Sequence, residues 1–199
     1  MKGSKCIALT AVLIAVGAVA RIGIGSLTMF IPEPFYGLLI AFGLTETITF
    51  ISGFTLGPVA GFLTGASIIV ISDMATIPGA WTPFIAIIIG LIGLIAGIVS
   101  RVAKEPTFRL MAISATLLTL MSETLQNAWV SLFYNVPLSV TMLTGLSTLI
   151  AALANNFVLF TTVGSRLIRI ILGSSVNSSG NSRTSNLGDG AGGEDFART

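Results

Sequence analysis

The sequence predicts an all-α membrane protein, a compact bundle of six transmembrane helices followed by a disordered tail. Of its 199 residues, 53% are hydrophobic and only 9% are charged, whereas soluble domains contain about 25% charged residues. The apolar runs are continuous and glycine-rich, which favours helices over the alternating strands of a transmembrane barrel. We therefore expect a multi-pass protein of the cell membrane.

Six apolar runs within residues 6–172 are long enough to cross a bilayer, since a span needs about 20 mostly apolar residues. The predicted helices cover residues 6–25, 35–53, 56–73, 82–102, 108–134 and 139–164. Two prolines and a glycine within residues 77–83 cannot continue a helix, so this segment is predicted to be the loop of a transmembrane hairpin.

Apart from Arg21, the basic residues of the helical region lie on one side of the predicted bundle. They are Lys2, Lys5, Arg101, Lys104, Arg109, Arg166 and Arg169. The loops on the other side, residues 26–34, 74–81 and 135–138, contain neither lysine nor arginine. By the positive-inside rule, both termini are predicted to be cytoplasmic.

The chain divides into a membrane domain, residues 1–173, and a tail, residues 174–199. Serine, asparagine and glycine dominate the tail, which cannot bury enough apolar area to offset the cost of ordering and is predicted to be disordered. The mixed apolar segment 166–172 is expected to lie along the cytoplasmic interface.

Small residues form stripes on three predicted helices. Gly57, Gly61 and Gly65 recur at every fourth residue, and a second glycine stripe has nearly the same spacing. That second stripe consists of Gly90, Gly93 and Gly97, and the first helix carries Ala8, Ala11, Ala15 and Ala18. Such stripes allow close helix packing inside lipid. For the alanines, the neighbour is either another helix of this chain or a partner protein.

Polar side chains share one face of the predicted fifth helix, within about a third of its circumference. They are Thr116, Thr119, Glu123, Gln126, Asn127 and Tyr134. Lipid cannot satisfy polar groups, so this face must contact protein or water. We expect Glu123, Gln126, Asn127 and Tyr134 to contact a ligand. Hydrogen bonds that only fix helix packing would give the same pattern, and Glu123 bonded to Arg21 is a second alternative.

Further candidate ligand contacts come from other helices and from the outer loop. They are Arg21, Glu46, Asp73, Trp81, Thr82 and Asn155. A charge inside a span costs about 2.5–3.5 kcal/mol on insertion scales, so Arg21 requires a partner, a cavity or an interfacial position. The position of Trp81 at the membrane boundary is also typical of an interfacial anchor. Glu46 could equally pair with another group inside the protein.

The composition argues against most enzyme classes. The chain has no histidine and a single cysteine, Cys6, which removes the usual ligands of a metal site and the base of a Ser-His hydrolase. We expect no catalytic site, no metal, no cofactor and no nucleic-acid partner. An enzyme using Glu46 and Glu123 as a carboxylate pair is the remaining catalytic alternative.

Five segments together resemble the substrate-binding subunits (S components) of energy-coupling factor (ECF) vitamin transporters. They are Ala11-xxx-Ala15, LGPVAGFLTG (56–65), Asp73, GAWTPF (79–84) and GLIGLIAGIVSR (90–101). The resemblance covers about residues 6–172. It implies a six-helix subunit that captures a vitamin or its precursor from outside, together with a transmembrane coupling subunit and two ATPases.

The resemblance also implies residue roles. Ala11 and Ala15 would face the coupling subunit, while the loop around Trp81 and the inner faces of helices five and six would hold the substrate. In similar proteins a glutamine often follows the Trp-Thr-Pro-Phe segment. Residues 84–86 are Phe-Ile-Ala here and lack it, so the resemblance does not assign the vitamin. A self-sufficient secondary transporter or a structural membrane subunit, in which Glu46 and Glu123 carry protons or only pack, is the alternative.

Overall fold

The computed structural model describes residues 3–28, 43–103 and 105–173, and the secondary structure within these ranges is helical. The helices are α1 (Gly3–Thr28), α2 (Leu44–Leu56), α3 (Pro58–Ala75), α4 (Thr82–Val102), α5 (Phe108–Tyr134), α6 (Leu138–Thr144) and α7 (Leu146–Leu159). A π-helical turn, Phe160–Gly164, follows α7 directly, and helical backbone continues from it to residue 173.

Five described stretches are long and apolar enough to cross a membrane. They are Gly3–Leu27, Pro58–Ala75, Thr82–Val102, Phe108–Tyr134 and Leu146–Gly173. The all-α prediction is confirmed for the described residues, and these stretches are compatible with a helical membrane protein. Of the other span predicted, 35–53, only the part from residue 43 onward is described, where α2 forms. The predicted loop 26–34, from residue 29 onward, and the tail 174–199 lie outside the described residues.

Local sequence explains where the helices begin and end. The bounds of α4 and α5 coincide with the predicted ranges 82–102 and 108–134. Proline near the start of α4 suits the first turn, where its missing N–H has no intrahelical partner. At the start of α5, the Thr107 hydroxyl accepts a hydrogen bond from the Leu110 N–H. The helix ends at Asn135, which adopts the left-handed conformation with φ 52°.

The last predicted helix differs most from expectation. Instead of one helix over 139–164, the chain forms α6, bends at Gly145, and then runs as α7 and its π-helical continuation to residue 173. The segment 166–172 is therefore a helical continuation of α7. Ile168 is fully buried on this extension, and Arg166 and Arg169 are exposed.

Glycines bring the backbones of α2, α3 and α4 into direct contact. A Cβ added to Gly93 of α4 would overlap the backbone of Gly61 in α3, and one added to Gly53 of α2 would overlap the Gly93 carbonyl. Gly65 faces Ile89, and Gly97 faces Pro58, in the same antiparallel register. We call the contact of Gly53, Gly61 and Gly93 the glycine seam.

The predicted close packing is thus confirmed for both glycine stripes. Gly57 has φ 104°, and an added Cβ there would have no atom within 4 Å. It forms the tight connection between α2 and α3. Glycine suits this position because a residue with a side chain rarely adopts this backbone conformation. Its backbone nonetheless contacts α4, because a Cβ added to Gly97 would overlap the carbonyl carbon of Gly57.

The remaining helices surround this centre. α1 runs parallel to α3, with Gly17 against the side chain of Ile68. α5 runs antiparallel to the last helix, as shown by a hydrogen bond between Thr119 and Asn156 and by the contact of Met111 with Gly164. Phe160 in the π-helical turn packs against Phe50 of α2, with ring centroids 4.8 Å apart and the rings tilted by 47°.

Candidate functional site

A charged contact ties α1, α3 and α4 together near one end of the bundle. Arg21 Nη2 donates a hydrogen bond to Asp73 Oδ1 over 3.0 Å, and the Asp73 side chain is only 6% exposed. Thr82 Oγ1 donates to the other carboxylate oxygen, Asp73 Oδ2, over 2.8 Å. Three predicted site residues therefore contact one another. The alternative expectation that Arg21 bonds to Glu123 is wrong, because Arg21 pairs with Asp73.

The loop between α3 and α4 is linked to this contact through Thr82. The Gly79 N–H donates to Thr82 Oγ1 over 3.2 Å, and the Thr82 N–H donates back to the Gly79 carbonyl over 3.1 Å. The indole of Trp81 lies directly over Gly79, where any Cβ would overlap the ring. Glycine is needed here because the tryptophan occupies the space of a side chain. Trp81 is half-buried, so one part of the ring is accessible.

Glu46 and Glu123 lie in the same layer of the bundle. Glu46 is half-buried in the first turn of α2, and its charge interacts with those of Arg21 and Glu123. A carboxylate in a first turn is favoured by the partial positive charge of the helix N-terminus. Together with Asp73, these groups place three carboxylates and one guanidinium near one another. We call these four residues, with Thr82, the charged layer.

Asn156 connects this layer to α7. It is 2% exposed and donates from Nδ2 to Thr119 Oγ1 over 2.8 Å. Its carboxamide oxygen lies against Gly43, at a position where a Cβ would overlap it. Sequence spacing instead favoured Asn155, which is half-buried. Asn156 lies one turn after the buried Ala152, so it is the asparagine that turns inward.

The polar face predicted for α5 is only partly buried. Thr119 is buried, Glu123, Gln126 and Asn127 are half-buried, and Thr116 is exposed with its hydroxyl bonded to the Ala112 carbonyl. The Thr116 hydroxyl is therefore satisfied within its own helix. A threonine hydroxyl can satisfy itself on its own helix, so it is a weak indicator of which face is buried.

Gln126 and Asn127 make local contacts on α5. Gln126 Nε2 donates to Ser122 Oγ over 3.0 Å, and Asn127 Nδ2 donates to the Glu123 carbonyl over 2.9 Å. Thr141 of α6 also donates to the Asn127 carbonyl, over 3.3 Å. An added Cβ at Gly145 would lie 2.9 Å from Asn127 Oδ1. Asn127 thus contacts the bend between α6 and α7, one turn beyond Glu123.

Tyr134 belongs to an aromatic cluster at the end of α5. Its ring contacts Phe133 at 5.1 Å and Trp129 at 6.2 Å between centroids. Trp129 also packs against Phe84 of α4, at 5.3 Å. The ring of Tyr134 is 56% exposed, as expected for an aromatic residue at a membrane boundary. Trp129, which spacing did not single out, provides the centre of this cluster.

The alanine stripe of α1 divides between two environments. Ala8, Ala11 and Ala15 are exposed, whereas Ala18 is 3% exposed and belongs to the core. The exposed alanines therefore lie on a smooth outward surface of α1 that the described residues leave uncovered. We call this the α1 face.

Comparisons with protein-family models, with curated proteins and with solved structures find no match for this chain. Its function must therefore be inferred from the residues themselves. Their arrangement can hold a small polar ligand: α1 to α5 contribute charges and hydroxyls to one layer, and the Trp81 loop lies beside it.

Proposed function

We propose that the chain is the substrate-capture subunit of an ECF-type importer, which binds a vitamin or a related precursor from outside the cell. The observation that carries this proposal is the charged layer. Polar groups inside a membrane domain are costly and are commonly functional, and here side chains from five helices contribute to one layer: Arg21, Glu46, Asp73, Thr82 and Glu123.

In this proposal the substrate binds beside the Trp81 loop, and the partner subunits supply the energy. A transmembrane coupling subunit docks on the α1 face through Ala11 and Ala15, and two ATPases hydrolyse ATP. The chain itself carries out no reaction. Two observations support these roles. Both alanines are exposed, and both precede Arg21 on α1, so the docking surface is separate from the charged layer.

The proposed orientation is tested by cysteine labelling. In a Cys6→Ala background, Ala80→Cys places a thiol on an exposed loop residue, which is predicted to be outside the cell because the loop carries no basic residue. We expect a membrane-impermeant maleimide to label intact cells. Ser100→Cys, near the opposite end of α4, is the matched control and should react only after permeabilisation. Labelling of the pair in the reverse order would invert the proposed topology.

The proposed docking surface is tested by Ala15→Trp. Because Ala15 is exposed, the indole would project from the α1 face without entering the core. We expect loss of ATP-dependent uptake and loss of co-purification with the coupling subunit, while the purified subunit keeps its melting temperature and bound substrate. Val16→Trp is the control on the same helix, since Val16 is 52% exposed but points about 100° away from Ala15 around the helix axis. Equal loss in both variants would contradict a specific role for the alanines.

A secondary transporter is the second candidate, because the proximity of Glu46 and Glu123 also suits a proton-carrying pair. The two candidates differ in their energy source. Uptake that persists in proteoliposomes without any ATPase, and that collapses with the proton gradient, would favour the secondary transporter. Uptake that requires the coupling subunit and ATP would favour substrate capture.

A further inference from the structure

Acidic groups outnumber basic groups in the charged layer. Among the residues that the structure describes, Arg21 and Asp73 form the only side-chain ion pair within 4 Å. Neither Glu46 nor Glu123 forms such a pair with a described residue, and Asn156 contacts the residues one turn before each of them. Once Arg21 is assigned to Asp73, no described basic side chain remains to neutralise the other two carboxylates. Burial of unneutralised charge is strongly unfavourable.

Asn156 adds an independent indication of a missing donor. Its Oδ1 atom is buried and has no hydrogen-bond partner among the described residues, although the residue is only 2% exposed. The side chain bridges the two helices that carry the carboxylates: Nδ2 bonds to Thr119, one turn before Glu123, and Oδ1 lies against Gly43, one turn before Glu46. The unsatisfied acceptor therefore belongs to the layer that contains both acids.

We propose that the ligand is a small organic cation with N–H donors, whose positive group lies between Glu46 and Glu123 and donates a hydrogen bond to Asn156 Oδ1. This inference rests on the proposed substrate-capture function and names its substrate class. The two carboxylates repel an anion. A carboxamide oxygen accepts only from a donor. An ammonium, amidinium or amino-heterocyclic cation satisfies both requirements with one group.

A matched pair of probes tests the charge without changing the protein. Benzamidine and benzamide have nearly the same shape, but only benzamidine is a cation at neutral pH. We expect benzamidine to raise the melting temperature of the purified full-length chain in detergent and benzamide to leave it unchanged. An equal response to both probes, or a response to neither, overturns the proposal. This comparison stays decisive even if the variants below fail to fold.

Near-isosteric variants test the assigned residues. Glu46→Gln and Glu123→Gln each remove one charge, and hydrogen bonds to charged groups are strong enough that benzamidine affinity should fall roughly 10- to 150-fold. Glu105→Gln is the control, since Glu105 is exposed between α4 and α5, away from the layer, and it should bind as the wild type does. Unchanged affinity in both test variants would overturn the assignment.

Native mass spectrometry separates failure of this inference from failure of the proposed function. A retained small molecule with a basic nitrogen, lost in Glu123→Gln, supports the cationic class. A retained neutral or anionic molecule whose uptake depends on the coupling subunit would overturn the cationic class and leave substrate capture intact. A chain that retains no molecule, ignores both probes and does not co-purify with a coupling subunit would contradict both.

Discussion

Gly93→Leu is expected to prevent the chain from reaching its folded state. The backbone of Gly61 occupies the space that a Cβ at Gly93 would need, and a backbone cannot move aside as a flexible side chain can. Overpacking a core costs about 1–3 kcal/mol and occasionally more, so we expect Gly93→Ala to lower the free energy of unfolding by roughly that amount. The leucine variant should fail to yield monodisperse protein in detergent. Thermal unfolding and size-exclusion chromatography provide the measurements.

Gly23→Ala is the matched control on a helix outside the seam. An added Cβ at Gly23 has no atom within 4 Å, and replacing a mid-helix glycine by alanine stabilises a helix by about 0.5–1 kcal/mol. We therefore expect effects of opposite sign at the two positions. Destabilisation of similar size in both variants would show that general glycine flexibility, rather than close backbone contact, is what the chain requires.

Asp73→Ala is expected to have the second-largest effect on stability. The change leaves Arg21 without its partner and removes the acceptor of the Thr82 hydroxyl. Breaking a buried ion pair costs about 3–5 kcal/mol. Because the Arg21 side chain is 34% exposed, water can partly solvate it, and we expect the lower end, about 3 kcal/mol. Thermal unfolding of the purified protein measures the loss.

A double variant distinguishes pairing from a general need for charge. Arg21→Met with Asp73→Leu replaces both charges by apolar groups, which is often neutral for buried pairs. We expect it to recover most of the stability lost in Asp73→Ala. In a Trp129→Phe background, the fluorescence of Trp81 should shift in Asp73→Ala, because Thr82 no longer anchors the loop. A single variant as stable as the wild type would contradict a structural role for the pair.

The helices themselves follow closely from the sequence. Long apolar runs and helix-breaking segments set the bounds of α4 and α5. The bilayer thickness fixes the length of an apolar run, and proline, which lacks an N–H, breaks a helix whatever the tertiary packing. The glycine stripes likewise predict which faces of α3 and α4 approach each other. Gly57, unlike Gly61 and Gly65, is not helical, because it is the single residue that connects α2 and α3. The packing of those two helices fixes that turn.

The charged layer was less accessible to prediction. Each of its members is a candidate from the sequence alone, but the choice of Asp73 rather than Glu123 as the partner of Arg21 depends on how α1 lies against α3. Periodicity gives directions around one helix axis and contains no information on crossing or rotation between helices. The same limit explains why Asn156, and not Asn155, occupies the position beside Thr119.

The glycine seam also affects the order in which the protein assembles. In a bilayer the helices form before they associate, so the backbone entropy of Gly53, Gly61 and Gly93 is already lost when the helices meet. Their docking immobilises no rotamers, whereas contacts between larger side chains do. The connections at Gly57 and at residues 76–81 are short, which makes this contact local. We expect α2, α3 and α4 to form an early intermediate that templates the docking of α1 and α5.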